Sequence, residues 1–328
     1  MITRRKIVLA LGATALVSPL SSFAQPAKKV WRIGFLQESE PSKDIPRLDA
    51  FNAGMSALGY AEGRDYVIEQ RSAQSDLARL PALAAELAAL RVDLILITGT
   101  PSAMAASKVT RDIPILSATV GDPIGSGLAA SLSRPGGNFT GLTNLSGELV
   151  TKRLDLLRQL LPRMRRVGFL YDPNNRLNEI QLARFESDCT KLQFQPVRAA
   201  ARTAEEIPAA FMTLKRKNAQ GLIAGAGNTN NSSRKTIVEL AAKHRLPAVF
   251  YRSDFAEAGG LISYAPDVLD LHRRTAAYAD KIFKGAKAGD LPIQQPTLFD
   301  FVLNMKIAKA LGLKIPGSIL VQATRVIE

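Results

Sequence analysis

The chain has 328 residues, 46% of them hydrophobic and 22% charged, with a formal charge of +14. That length accommodates two medium domains with cores of their own, and the ordinary globular composition excludes a low-complexity or fibrous chain. Cys189 is the only cysteine, which excludes an intramolecular disulfide.

Taken in chain order, the first element is an export signal. Arg4, Arg5 and Lys6 form a basic n-region, Ile7 to Leu20 an apolar core, and Ser22-Phe23-Ala24 a small-x-small cleavage site. Cleavage is expected after Ala24, giving a free periplasmic protein; TRRKIV leaves the Sec and twin-arginine routes both open. Removing those three basic residues leaves +11 on the mature chain. Its Lys and Arg are scattered and not interleaved with aromatics, which fits a solvated surface better than a nucleic-acid interface. No later stretch approaches the length of a membrane span.

The mature part repeats itself. RIGFLQ (32–37) opens a series of strand and helix patterns: LDAFNAGMSALGY, DYVIEQRSA, LARLPALAAELAAL, VDLILITGT, PSAMAASKVT, IPILSAT and NFTGLT. RVGFLY, from Arg166, opens a second series in the same order: NEIQLARFESDCTKLQF, QPVRAA, AEEIPAAFMTLKRK, QGLIAGAG, NNSSRKTIVELAAKHR, LPAVFYR and GGLISYA. Phe51 matches Phe185, Leu58 matches Leu192 and Pro114 matches Pro247, so the halves are an internal duplication. Near-continuous apolar strands such as VDLILI imply parallel strands covered on both faces. Strand-helix alternation then gives an α/β chain with two doubly wound, Rossmann-like parallel-sheet lobes.

Ligands of such sheets lie beyond the carboxyl ends of the strands, and two facing rims joined by a hinge can enclose a small molecule. The rim residues expected to touch it are Gln37, Glu38, Thr98, Thr100, Ser102, Thr119 and Asp122 in the first half. In the second they are Tyr171, Asn174, Asn228, Tyr251, Ser253 and Asp254. Thr100-Pro101-Ser102 opens a helix with hydroxyls beside free amides, which suits a carboxylate. Asp122 or Asp254 could hold an ammonium, and Tyr171 or Tyr251 could stack on a planar ring. Each of these residues has a plain structural role as its alternative: cap, turn or packing. Cys189, inside a helical stretch, is expected to be a buried inert thiol, and His244 and His272, in basic helical stretches, to lie on the surface.

RIGFL, FNAGMSALGYAEGRDYVIEQRSA, RLPALAAELAALRVDLILITGTPSAMAA, VGDPIGSGLAASLSRPGGNFTGLTNLSGELVTKRLDLLRQLLP and NMKIAKALGLKIPGSIL resemble the ABC transporter substrate-binding proteins that include bacterial tryptophan- and tyrosine-binding lipoproteins. The resemblance spans almost the whole mature chain. It implies the type I periplasmic binding fold and capture of a small, amino-acid-like solute for an inner-membrane permease and its ATPase on other chains. It also implies discontinuous lobes, 30–143 plus 265–295 and 144–264 plus 296–328. The chain departs from the lipoprotein members in having no cysteine at the cleavage site, which suggests a free protein of a Gram-negative cell. A monomer is expected.

The chemistry-bearing motifs are sparse. GxSxG, HExxH and GxxxxGK[ST] are missing, GAGNTN lacks the third glycine of a dinucleotide fingerprint, and GDPIGSG lacks a phosphate-loop lysine. A binder without cofactor or metal is therefore expected in preference to a nucleotide-dependent enzyme. A receptor that reports to a sensor kinase or chemoreceptor stays open beside the importer reading.

Overall fold

The computed structural model describes residues 29–145 and 147–328; the expected signal peptide, 1–24, lies outside the described residues. The first half contributes β1 (Trp31–Gln37), α1 (Pro41–Ala57), β2 (Tyr66–Ser72), α2 (Leu80–Ala89), β3 (Leu94–Ile97), α3 (Thr100–Val109), β4 (Ile115–Val120) and β5 (Phe139–Thr143). The strands form one parallel sheet in the order β2-β1-β3-β4-β5. After α4 (Leu149–Leu160) the pattern restarts with β6 (Arg166–Tyr171), α5 (Arg176–Lys191), β7 (Gln195–Ala200), α6 (Ile207–Arg216) and β8 (Gly221–Ala224). It continues through α7 (Asn228–Ser232), α8 (Arg234–Lys243), β9 (Ala248–Phe250), α9 (Ser253–Glu257) and β10 (Ile262–Pro266). The order β7-β6-β8-β9-β10 repeats that of the first sheet. The remainder is α10 (Val268–Phe283), β11 (Phe299–Asn304), α11 (Met305–Leu311), α12 (Gly317–Gln322) and β12 (Arg325–Ile327).

The shared GFL phrase has a steric reason. A side chain at Gly34 would meet Leu87 of α2 at 3.1 Å, and one at Gly168 would meet Leu214 of α6 at 2.3 Å. In each lobe the bare backbone at mid-strand lets a helix leucine close over the sheet. Each sheet then carries apolar clusters on both faces: Leu36, Leu83 and Leu87 against Phe35, Phe51 and Met55 in the first lobe, Phe211 and Leu214 against Phe169 and Phe185 in the second. The second cluster encloses Cys189, which is fully buried, and burial pushes its thiol up to about 12.

The lobes exchange helices. After β5 the chain crosses to the second lobe, where α4 packs on α5 and along β8 to β10. After β10 it crosses back, and α10 packs on α1, β4 and β5 of the first lobe. Gly54 of α1 makes this approach close, since a Cβ there would lie 2.3 Å from the Arg273 carbonyl. A third crossing runs past Gln294, whose N–H donates to Gly141 O at 3.0 Å, and ends in β11. β11 pairs antiparallel with β10, and β12 pairs parallel with β11, so the C-terminal segment extends the second sheet to seven strands. The sequence pattern had suggested only parallel strands; β11 reverses direction because the chain returns to that sheet from the other lobe.

Two local readings change. The helix expected from Leu48 begins at Pro41, whose place in the first turn needs no intrahelical donor, and it runs on through Pro46 inside the helix. His272 is fully buried and not on the surface, being the fifth residue of α10 on the face that carries Leu271, Thr275 and Ala276. Its Nδ1 lies 2.8 Å from Val268 O, and burial, reinforced by the Arg47 charge, pushes its pKa down to about 3. Trp31 stacks on Phe283 at 4.4 Å, at the far end of β1 from its carboxyl rim. No described helix is long and apolar enough to cross a membrane.

Candidate functional site

The carboxyl ends of β1, β3 and β4 in one lobe and of β6, β8 and β9 in the other open onto one cavity of about 130 Å³. In both sheets the loops that bound it leave the strands at which the order reverses, where doubly wound sheets bind ligands.

On the first rim the organising group is Glu38. It follows β1 directly and is 8% exposed. Its Oε1 accepts from the N–H and the hydroxyl of Ser102, both at 3.0 Å, in the first turn of α3. Gly99 permits the approach, since a Cβ there would sit 2.6 Å from Oε1. Burial raises the Glu38 pKa against the opposing pull of the Ser102 donors. Thr98, Thr100 and Thr119 complete the wall, and their hydroxyls tie the loops together: Thr98 Oγ1 accepts from Glu38 N, Thr100 Oγ1 from Gly121 N, and Thr119 Oγ1 donates to Thr98 O. Arg47, from the additional N-terminal turns of α1, faces the cavity and pairs with buried Asp44 at 2.5 Å. Burial and the nearby Arg252 charge lower its pKa, while Asp44 opposes the shift.

The second rim is built from cations and amides. Arg252 faces the cavity from the end of β9, and its Nη2 is 2.7 Å from Asp254, which also holds Arg234 at 2.7 Å. Tyr251 lines the wall with its hydroxyl 3.0 Å from Gly227 O and 2.8 Å from Asn231 Oδ1. Asn228 opens α7 beside it, and its Nδ2 is buried with no protein hydrogen-bond partner. Arg153, the fifth residue of α4, closes the floor. It is 1% exposed, its Nε donates to Tyr264 O at 3.0 Å, and its Nη1 is buried with no protein acceptor. Burial pushes its pKa down to about 10, so it remains a cation at neutral pH.

Of the residues expected from sequence, Glu38, Thr98, Thr100, Thr119, Asn228 and Tyr251 line this cavity. Ser102 stands behind Glu38 and orients it. Ser253 and Asp254 line an adjoining cavity of about 730 Å³ that shares Arg47 and Arg252 with the first. The structure places the other four elsewhere. Gln37 is buried with its amide toward Gln70, and Asp122 caps its own turn by accepting from Gly125 N at 2.7 Å. Tyr171 packs against Phe169, and the exposed Asn174 donates its N–H to Asp172. Arg47, Arg153, Asn144 and Asn231 also line the cavity without having stood out in the sequence. A usable signal existed for Arg153, since Leu149, Val150, Leu156 and Leu157 place it on the apolar face of α4, where it is the only charged residue.

Among the described residues no group of three or more His, Cys, Asp or Glu is placed to hold a metal ion. What the cavity offers is hydrogen-bond donors, guanidinium charge and the Glu38 carboxylate around a small cleft, the means of gripping a small polar molecule.

Comparison with known proteins agrees with this geometry. Residues 39–327 match the family model described as ABC transporter substrate binding protein. A tyrosine-binding protein of Clostridioides difficile (strain R20291) is 27% identical over 289 residues, covering 88% of this chain and 83% of the relative. The structure of an ABC domain in complex with L-Trp from Streptococcus pneumonia superposes with a TM-score of 0.84 at 28% identity, covering 91% of this chain and all of the other. A ligand-free, open substrate-binding protein with adhesive properties from Clostridium difficile gives 0.71 at 27% identity, covering 91% of this chain and 99% of the other. With two duplicated lobes, a cavity between their strand ends and a family match over nearly the whole described chain, the protein belongs to the ABC transporter substrate-binding proteins, with the two-lobe type I periplasmic binding fold.

Proposed function

We propose that the protein is the periplasmic solute receptor of an ABC importer, enclosing one small solute of amino-acid size between its lobes and delivering it to a permease and ATPase on other chains. The observation that carries this reading is the single cavity walled by Glu38 and Thr98–Thr100 from one lobe and by Arg153, Asn228 and Tyr251 from the other. A molecule seated there touches both lobes and stabilises their apposition without covalent chemistry. The lobes are taken as 30–143 plus 265–295 and 144–264 plus 296–328, a division supported by the packing of α10 on the first lobe and the pairing of β11 with β10. The protein works as a monomer, exported and cleaved after Ala24.

Thermal unfolding in the presence of amino acids, aromatic and aliphatic acids and sugars is the test. A ligand at about 100 times its Kd adds roughly 2.7 kcal/mol to the folded state, raising Tm by several degrees. A protein that no solute stabilises, and that instead turns over an ester or nucleotide, would contradict the reading.

A further inference from the structure

The basic residues are scattered along the sequence, but the fold collects some of them. At the amino ends of β6, β8 and β9, the opposite end of the second sheet from the cavity, three helix-to-strand turns lie side by side. Gln220 joins them. Its Oε1 accepts from the N–H groups of Arg165 and Arg166 at 2.7 and 3.1 Å, and it lines a recess of about 390 Å³ together with Lys243, His244 and Arg245. The turn before β6 carries Arg163, Arg165 and Arg166, the turn before β8 carries Lys215, Arg216 and Lys217, and the turn before β9 carries Lys243 and Arg245. All of these cations are exposed. Residues 161–166, 214–220 and 243–247 contain no Asp or Glu. The acidic groups nearby are committed or set back: Asp188 is held by Arg184 and Lys191, Glu257 by Arg325, and Glu239 lies one turn back along α8 from Lys243. His244 stacks on Phe211, and burial together with the Lys215 and Lys243 charges holds its pKa below the ordinary value.

Helix C-termini favour cations, and that would account for this face if the first lobe had the same one. Its matching turns mix the signs instead. Arg91 and Asp93 precede β3, Arg111 and Asp112 precede β4, and Lys29, ahead of β1, pairs with Asp93 at 2.5 Å. The duplicated scaffold thus has the same helix dipoles in both lobes and a surface of one sign in only one of them. Like charges gathered in this way repel one another, and an anionic partner relieves the repulsion.

The three turns contain no Phe, Tyr or Trp to stack on a base, and their long, flexible side chains impose no single shape on a partner. Such a group suits a surface that presents many phosphates, and clusters of about four to eight Lys and Arg are of the size that binds anionic lipid. We propose that this end of the second lobe docks on the headgroups of an anionic phospholipid bilayer, leaving the cavity at the other end of the sheet free to fill. No large apolar side chain of the three turns is exposed, so the contact is electrostatic and salt-sensitive.

The test uses the processed chain, 25–328, so that the apolar leader cannot itself insert. It is sedimented with vesicles of phosphatidylcholine alone and of phosphatidylcholine mixed with phosphatidylglycerol, at low salt and at about 0.5 M NaCl, where charges are screened within a few ångströms. Binding is expected only to the anionic vesicles and only at low salt. Each Lys or Arg at such a surface contributes about fivefold in affinity, so combining Lys215→Gln, Lys217→Gln, Lys243→Gln and Arg245→Gln should weaken binding by about 30-fold or more. Combining Lys108→Gln, Arg111→Gln, Arg134→Gln and Lys287→Gln removes the same charge from exposed positions of the first lobe and should leave affinity within about threefold of wild type. Equal losses in the two variants overturn the inference, because net charge alone would then account for binding. Absence of binding at low salt overturns it as well, and capture by polyglutamate beads in that case assigns the face to an acidic polypeptide. If the first variant does not fold, Lys215→Gln with Lys217→Gln takes its place, with an expected loss of about tenfold against a control of Lys108→Gln with Arg111→Gln.

Discussion

The two exchanged helices repay comparison. α4 leaves the first lobe to pack on the second, and α10 leaves the second to pack on the first. Each buries a basic residue at its fifth position: Arg153 on α4 and His272 on α10. Each of those residues makes one hydrogen bond to a backbone carbonyl and leaves a second nitrogen, Arg153 Nη1 or His272 Nε2, without a protein partner. Their protonation separates them. An imidazole can shed its proton on burial and pack as a neutral ring, whereas a guanidinium stays charged and must be answered by something outside the helix. The repeated scaffold thus holds an inert position in one lobe and a charge-bearing one in the other.

The rims diverge in the same manner. Glu38 and Asp172 occupy matching places after β1 and β6, and each accepts from a residue at the start of the helix after the third strand, Ser102 in one lobe and Thr229 in the other. Glu38 is buried and lines the cavity; Asp172 is half-buried and does not. The same tie fixes a cavity-facing carboxylate on one side and a loop on the other.

These contrasts can be broken at several points. The largest expected effect is on the exchange itself: Gly54→Leu places side-chain atoms where the Arg273 carbonyl stands and should cost about 3 kcal/mol, read as a lower urea midpoint. At the equivalent position in α5, Asp188 bonds Thr151 of α4, so Asp188→Ala should cost less, about 1–2 kcal/mol.

The His272 side of the comparison predicts a pH dependence. Because the folded pKa lies near 3, below the ordinary value of 6.5, the unfolded chain takes up a proton first as the pH falls. The contribution of a neutral His272 is therefore complete above about pH 6.5 and is lost on acidification, about 2 kcal/mol between pH 7 and pH 5. His272→Leu should remove that part of the slope; urea midpoints at the two pH values measure it.

The smallest effect concerns the rims. Ser102→Ala strips the hydroxyl donor from buried Glu38, leaving the backbone N–H, and should lower stability by about 1–2 kcal/mol, whereas Thr229→Ala, at a half-buried site, should cost under about 1 kcal/mol. Equal losses would mean that the two ties do the same work.

The duplicated strand-helix order was legible because hydrophobic periodicity reports which face a residue presents, and both sheets impose it on every element. The loops after β1, β3 and β8 were legible for the same reason, as they follow directly from strand ends, and they supplied Glu38, Thr98, Thr100 and Asn228. Arg47 was missed because it lies in the N-terminal turns of α1, just ahead of the helix pattern that starts at Leu48. Arg153 and His272 were missed because charged and titratable residues in an amphipathic helix are ordinarily assigned to its wet face, although the spacing of their apolar neighbours puts both on the buried face. What those faces pack against was not legible, because the exchange of helices between lobes is a tertiary fact.

The exchange also dictates when the protein can become itself. Phe51 and Met55 of α1 share a core cluster with Leu271, Tyr278 and Phe283 of α10, contacts more than 200 positions apart in the chain. The first lobe cannot close that cluster until almost the whole polypeptide is available, so the half made first is also the half that waits. Each lobe is thus the other's last folding partner.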